Sequence, residues 1–179
     1  AYLSVKHLLK LGHTRICHIT GPVNSTSVQA KIDGYAQAFA EHDLKVDNDL
    51  IISTRLTRDD GYWTAKEVVR NHPEVTAIFC FSDWMALGVY EACRELGLRI
   101  PDDISVSGYD DIEVSSLLGT TLTSVALPVE LIGKHAVDVL IRSIETEEVV
   151  NEKPSQRVFP PTFVPRQSSA PPRSHKLRL

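Results

Sequence analysis

Three predicted strands of this chain end in polar or flexible residues that could bind a small ligand. The run 106–111 ends in Gly108, Tyr109 and the adjacent carboxylates Asp110 and Asp111. The apolar runs 77–83 and 15–21 end in Ser-Asp and Thr-Gly. In an alternating β/α chain, the carboxyl ends of parallel strands meet at one edge of the sheet, where small polar ligands bind. The sequence therefore predicts a binding crevice at that edge.

Asp110 is the leading candidate for contact with a ligand. A carboxylate at a strand end can accept paired hydrogen bonds from two neighbouring hydroxyls of a sugar. Asp also favours turns, so capping of the next turn is the alternative, and it is the favoured one for Asp111. Ser82 could donate to a ligand hydroxyl, whereas Asp83 is expected to be the N-cap of the following helix.

Motifs for catalysis or for metal binding are missing from the sequence. There is no Gly-x-Ser-x-Gly elbow, no phosphate-binding loop and no His-Glu-x-x-His. The seven histidines show no metal-ligand spacing, and the three cysteines are odd in number and far apart. Adjacent carboxylates on a strand face opposite ways and do not converge on one atom. We therefore expect a binding protein with no catalytic residue, metal or cofactor.

Composition restricts the partners of the chain. Its 179 residues are 42% hydrophobic and 23% charged, which suits one substantial globular domain. The net charge of -4 gives no basic surface for nucleic-acid phosphates, so DNA contact would need another segment. No apolar run reaches 18 residues, so we expect no membrane contact. No basic-then-apolar leader opens the chain, but removal of a leader by processing stays an alternative. Unpaired cysteines favour a reducing cytoplasm.

Alternating helical and β patterns predict a doubly wound, mostly parallel sheet with helices on both faces. Helices are expected over 2–11, 27–41, 59–71, 83–96 and 129–144, and strands over 15–20, 50–53, 77–81, 104–109 and 122–126. A final strand is expected within 156–164, where Pro160 and Pro161 restrict it to a sheet edge. The polar, proline-containing segment 169–179 is expected to be a disordered tail.

Six short motifs occur in order along the chain: GHTRI at 12–16, KIDGY at 31–35, SDWMALG at 82–88, IPDDISV at 100–106, GYDD at 108–111 and LTSV at 122–125. With an Arg-x-Ser ending at 166–168, they resemble the LacI/GalR family of bacterial transcription regulators. The resemblance covers residues 1–168. It implies a type I periplasmic-binding-protein-like fold and equates this chain with the C-terminal, effector-binding lobe of the family.

The resemblance also implies a division of the chain. Residues 1–121 would form the effector-binding lobe, and 151–168 would be its returning strand. Residues 122–150 would be a crossover strand and helix that, in the family, completes the other lobe. Without that lobe the helix would expose one apolar face, and we expect it to self-associate or repack. That face comprises Leu131, Ile132, Val139 and Leu140.

The resemblance assigns further residues to the ligand site. Lys31 occupies the position of an arginine that clamps ligand oxygens, and Ser82 that of a common asparagine. Leu56 and Leu127 match positions that often hold an aromatic ring and an amide in sugar-responsive relatives. Ser27 lies one helical turn before Lys31 and could face the same site. The alternatives are a solvated helix face for Lys31, plain packing for the two leucines and helix capping for Ser27.

The function implied is effector sensing. In the family, a small metabolite, here expected to be a sugar or derivative, binds between two lobes, with Asp110 at an effector-contacting position. Lobe closure is transmitted to a helix-turn-helix domain that binds operator DNA, and we expect a cytoplasmic homodimer. The main alternative is a periplasmic sugar-binding protein of an ABC transporter, which shares the two-lobed architecture. An enzyme of a doubly wound class is a third hypothesis, but it lacks a recognisable nucleophile or cofactor site.

Overall fold

A four-stranded parallel sheet forms the centre of the molecule in the computed structural model, which describes residues 1–145 and 157–173. The strands are β1 (Ile16–Thr20), β2 (Ile51–Ser53), β3 (Ala77–Cys80) and β4 (Ser105–Ser107), in the order β2-β1-β3-β4. Strands β1 and β3 pair in parallel, with Cys17 opposite Ile78 and His18 opposite Phe79. Every residue of β1, β3 and β4 is buried, as expected for strands covered on both faces.

Helices cover both faces of this sheet. Their bounds are α1 (Tyr2–Lys10), α2 (Thr26–Ala40), α3 (Arg58–Asn71), α4 (Asp83–Glu95), the short α5 (Val114–Leu117) and α6 (Val129–Glu145). Helices α1 and α2 share one hydrophobic core with alternate residues of the sheet, and α3 and α4 share the other. The predicted doubly wound fold is therefore confirmed. In the part of the chain that the structure describes, no helix is both long and apolar enough to span a bilayer.

Two glycines set the close contact between α3 and α4. A Cβ atom at Gly61 would clash with the backbone oxygen of Met85, and one at Gly88 would clash with that of Arg58. The start of α3 is fixed separately by a capping box, in which Thr57 accepts from the backbone of Asp60 at 3.0 Å. The close approach at Gly61 places α3 against the first turn of α4, which begins shortly after β3.

A fifth strand extends the sheet beyond β4. Strand β5 (Ser124–Ala126) runs parallel to the end of β4, and the amide of Asp110 donates to the carbonyl of Val125 at 2.9 Å. Strand β6 (Thr162–Val164) pairs antiparallel with β5. Leu122 and Val125 are buried, so the strand assigned to the crossover packs beside β4 in this structure. The division of the chain between residues 121 and 122 stays a prediction.

Residues 169–173 pack against the lobe, which corrects the expectation of a tail disordered from 169 onward. The carbonyl of Ala170 lies 2.8 Å from His13 Nε2. The guanidinium of Arg173 donates to the carbonyls of Val75 at 2.8 Å and Pro73 at 3.0 Å, and also to that of Asp103. The composition suggested disorder, but these polar groups satisfy carbonyls in the loops that precede β3 and β4. Residues 174–179, like 146–156, lie outside the described residues.

Helix α6 has no buried residue. The four aliphatic side chains predicted to be exposed are between 39% and 60% accessible: Leu131, Ile132, Val139 and Leu140. Val129, Val137, Ile141 and Ile144 are exposed as well. Burying one aliphatic side chain is worth roughly 1.5–3 kcal/mol, so this surface strongly favours contact with another apolar surface. The predicted exposure is confirmed, and self-association stays a prediction.

We expect the 179-residue chain to self-associate through α6 at tens of micromolar. Leu140→Glu should shift its light-scattering mass toward that of one chain, 19.9 kDa, because it places a charge on the apolar face. Lys134→Glu is the control, since it adds negative charge to the exposed polar face of the same helix without removing apolar area from the face that carries Leu140. A single-chain mass for the unmodified polypeptide would contradict this prediction.

Candidate ligand-binding site

The predicted site residues all lie beyond the carboxyl ends of five adjacent strands. Leu56, Ser82, Asp110 and Leu127 follow β2, β3, β4 and β5, while Ser27 and Lys31 belong to α2, which follows β1. The parallel direction of these strands therefore gathers all six residues at one edge of the sheet, as the sequence predicted. Direct contacts and charge then distinguish the residues that form a common cluster from those that only border it.

Lys31 is held inside the edge of the lobe. Its ammonium donates to the backbone carbonyl of Phe81 at 2.7 Å. The same nitrogen lies 3.6 Å from the ring centroids of both Phe81 and Tyr109, so it is flanked by two aromatic faces. Such cation–π contacts stabilise the charged amine. The alternative of a solvated helix face for Lys31 is therefore wrong.

Charge and burial act in opposite directions on Lys31. Burial lowers its pKa to about 8, while the carboxylates of Asp110 and Asp83 act in the other direction and favour the ammonium. These two carboxylates are close enough to influence Lys31, but the hydrogen bond of the ammonium is made to a neutral carbonyl. Lys31 thus supplies positive charge to the site without forming a direct ion pair.

Asp110 presents an accessible carboxylate at the same edge. Its backbone has a φ of 103°, and Asp111 follows with a φ of 54°, so two consecutive residues occupy the left-handed region. Among residues 1–145 and 157–173, no group donates a hydrogen bond to the Asp110 carboxylate. Partial desolvation raises the pKa of this carboxyl, and Lys31 opposes the rise. The acceptor capacity of Asp110 is available to a ligand.

Asp111 has a structural partner instead. Arg166 donates to its carboxylate at 2.6 Å, and the same guanidinium nitrogen donates to the carbonyl of Leu122 at 2.8 Å. The amide of Asp111 donates to Ser124 Oγ at 3.2 Å. Asp111 therefore fixes the returning chain to the start of β5, a structural role but not the turn cap that was expected.

Asp83 is a buried residue whose importance the sequence did not reveal. The side chain is fully inaccessible and accepts from the hydroxyls of Ser115 and Ser124, both at 2.6 Å, and from the amide of Ile112 at 3.0 Å. Its own amide donates to the carbonyl of Tyr109 at 2.7 Å. Desolvation raises the pKa of this carboxyl, and the three donors oppose the rise.

The helix cap next to Asp83 differs from the prediction. Ser82, not Asp83, is the N-cap of α4, since its hydroxyl accepts from the amide of Met85 at 3.4 Å. Gly108 leaves room for the Asp83 carboxylate, because a Cβ atom at position 108 would overlap it. Ser82 keeps its donor hydrogen, so donation to a ligand stays a prediction.

The remaining predicted residues border the edge. Ser27 is exposed, and its hydroxyl lies 3.0 Å from that of Ser25, which is the N-cap of α2, so the capping alternative for Ser27 is wrong. Leu56 has a φ of 67° and packs over Gly21, where a Cβ atom would overlap its side chain. Leu127 is half-buried. Plain packing explains Leu56, while ligand contact by Leu56 and Leu127 stays a prediction.

Phe81 was missed as a member of the site, and Tyr109 was noted only as a residue at a strand end. Both follow buried strands, but nothing in the local sequence indicates that Lys31, 50 residues before Phe81, reaches between them. Within the described residues, no group of three or more His, Cys, Asp or Glu side chains could hold a metal ion. A cavity of about 440 Å³ lies beside α4 and shares no lining residue with the candidate site. It is lined by Arg58, Leu87, Tyr90, Glu91, Arg94, Leu118 and Gly119.

Comparison with known proteins agrees with this architecture. A family model described as a periplasmic binding protein-like domain matches residues 5–169. The transcriptional repressor PurR of Vibrio vulnificus (strain CMCP6) is 35% identical over 147 residues, which cover 82% of this chain and 44% of the relative. The ribose operon repressor of Haemophilus influenzae (strain ATCC 51907 / DSM 11121 / KW20 / Rd) is 34% identical over 167 residues, covering 93% of this chain and 49% of the relative.

Solved structures show the same similarity. The regulator CelR in complex with cellobiose superimposes with a TM-score of 0.85 at 30% identity, covering 94% of this chain and 50% of that one. A LacI family regulator from Enterococcus faecium with bound ribose superimposes with a TM-score of 0.82 at 31% identity. The match covers 95% of this chain and 62% of that one. The chain belongs to the periplasmic binding protein-like domains of the LacI family of transcriptional regulators. It spans about half the length of the curated relatives it matches.

Asp83→Asn should lower the free energy of unfolding by about 1–3 kcal/mol, because a buried charged acceptor with three donors is replaced by a group with one acceptor oxygen. Urea unfolding measures the change. Asp102→Asn, at an exposed carboxylate on the same lobe, is the control and should change stability by much less. Equal effects of the two substitutions would show that the Asp83 cluster does not stabilise the fold.

Lys31 should make the free energy of unfolding depend on pH in the alkaline range. Its folded pKa of about 8 lies below the unfolded value of 10.5, so the unfolded state binds more protons between these values. The unfolding free energy of the wild type should therefore rise with pH across this window relative to that of Lys31→Met. Denaturant titrations at intervals from pH 7.5 to about 10 measure the difference, and parallel curves for the two proteins would refute the assignment.

Proposed function

We propose that this chain is the effector-sensing part of a LacI-type transcriptional regulator. Its sheet edge forms one wall of a cleft that binds a small metabolite, and cleft closure alters the affinity of the full gene product for operator DNA. The observation that carries the proposal is the unpartnered Asp110 carboxylate beside the enclosed Lys31 ammonium. A ligand that binds the closed state better shifts the population toward closure.

The proposed effector is a sugar or a sugar derivative. The carboxylate of Asp110 can accept from two adjacent hydroxyls, an arrangement that sugars supply. The proposal is supported by the cellobiose and ribose bound to the two similar regulators. Ser82 and Ser27 are the proposed supporting hydrogen-bonding residues. Leu56 and Leu127 are the proposed apolar contacts at the margin of the site.

DNA binding and dimerisation are further parts of the proposal. The net charge of -4 does not suit phosphate binding by this chain, so operator contact is assigned to a helix-turn-helix segment outside it. Operators of two half-sites are read by symmetric dimers, so the working form is a homodimer in the cytoplasm, without membrane contact. The chain recognises a ligand and catalyses no reaction. Its named relatives are repressors, which does not favour the transporter alternative.

Operator binding by the full gene product tests this function. An operator is first selected from genomic fragments, and its affinity is then measured by fluorescence anisotropy with and without each sugar of a panel that includes ribose and cellobiose. One sugar should change operator affinity at least about fivefold, in line with couplings of 1–3 kcal/mol. Failure to select any operator would contradict the proposal.

Asp110→Asn isolates the role of the carboxylate in this assay. Asn fits a positive φ as Asp does, so the change removes charge while keeping shape. Affinity for the responsive sugar should fall at least about tenfold, because a hydrogen bond to a charged group is worth roughly 1.5–3 kcal/mol. Glu113→Gln, at an exposed carboxylate three residues away, is the matched control. Wild-type affinity in Asp110→Asn would remove Asp110 from the site.

A further inference from the structure

We infer that this site selects its ligand by charge: it accepts an uncharged polyhydroxylated ligand and rejects the phosphorylated form of the same molecule. The inference rests on the proposed function and specifies the chemical class of its effector. Three observations carry it, namely the enclosure of Lys31, the pairing of the neighbouring arginines and the free carboxylate of Asp110.

Lys31 is unavailable to an anionic ligand. Its ammonium already donates to the Phe81 carbonyl at 2.7 Å and lies 3.6 Å from the centroids of two rings. Moving the ammonium outward toward a phosphate would weaken this hydrogen bond and both cation–π contacts. An arginine at this position would offer a flat fork with donors left over, whereas lysine is a point donor. The lysine therefore stabilises the Phe81 and Tyr109 walls of the site rather than binding an anion.

The arginines of this edge are engaged as well. Arg166 bonds to the Asp111 carboxylate and the Leu122 carbonyl, and Arg55 pairs with Asp60 at 3.0 Å. None of these bonds is made to Asp110. At this edge, both guanidinium groups thus already have a carboxylate partner, with which a phosphate would have to compete.

The free charge at the edge is negative. The carboxylate of Asp110 accepts no hydrogen bond from the described residues. The buried carboxylate of Asp83 adds to the negative potential around it. A phosphate close to Asp110 is repelled by that carboxylate, and the Lys31 ammonium, already bonded to the Phe81 carbonyl, is not placed to form an ion pair with it. Neutral hydroxyls, in contrast, supply the donors that Asp110 lacks. Charge complementarity thus favours a neutral sugar over its phosphate ester.

Isothermal titration calorimetry of the full gene product tests the inference with matched ligands. The pairs are ribose with ribose 5-phosphate and glucose with glucose 6-phosphate, and the corresponding O-methyl sugars serve as uncharged bulk controls. For the sugar that binds, phosphorylation should weaken affinity at least tenfold more than O-methylation does. This comparison separates charge from size.

Two variants locate the source of the discrimination. Asp110→Asn should weaken binding of the neutral sugar. It should also bring the ratio of the affinity for the sugar to that for its phosphate ester at least threefold closer to one, because it removes the repelling charge. Glu113→Gln should leave that ratio unchanged. An unchanged ratio in Asp110→Asn, or a phosphate ester that binds as tightly as its O-methyl counterpart, would overturn the inference while leaving sugar sensing intact. If no sugar or phosphate binds, the proposed function itself fails, and the inference fails with it.

Discussion

The arrangement of the ligand edge depends on one buried carboxylate, that of Asp83. It joins the first turn of α4, the loop after β4 and the start of β5 through hydrogen bonds to Ile112, Ser115 and Ser124. A buried charge of this kind is tolerated only where several donors compensate its lost hydration. Because its three donors come from two segments, residues 112–115 and the start of β5, the carboxylate specifies how these segments meet α4.

This constraint determines where the free carboxylate of the site lies. The amide of Asp83 holds the carbonyl of Tyr109, and its side chain holds the amide of Ile112, so the intervening residues Asp110 and Asp111 are confined at both ends. Both take a positive φ in this short span. The salt bridge of Asp111 with Arg166 at 2.6 Å then fixes the second residue. Asp110 is left as the member of the turn that faces solvent with an unused acceptor.

The sequence predicted the elements well because periodicity and capping act locally. The helix expected over 83–96 is observed as Asp83–Glu95, and the one expected over 59–71 is observed as Arg58–Asn71. Convergence of polar residues at the strand ends was also predicted, since it follows from parallel topology alone. The accommodation of Lys31 between Phe81 and Tyr109 was not, because it joins side chains 50 and 78 residues apart along the chain. The ordering of 169–173 was missed for the same reason, as its partners lie in loops near residues 13, 75 and 103.

A crystal structure of the full gene product with its responsive sugar tests the central claim, that Asp110 is the ligand acceptor of an edge organised by Asp83. The account predicts two sugar hydroxyls within hydrogen-bond distance of the Asp110 carboxylate, with Lys31 still bonded to the carbonyl of Phe81. A sugar bound instead in the cavity beside α4, lined by Arg58 and Arg94, or at the edge without contact to Asp110, would contradict it.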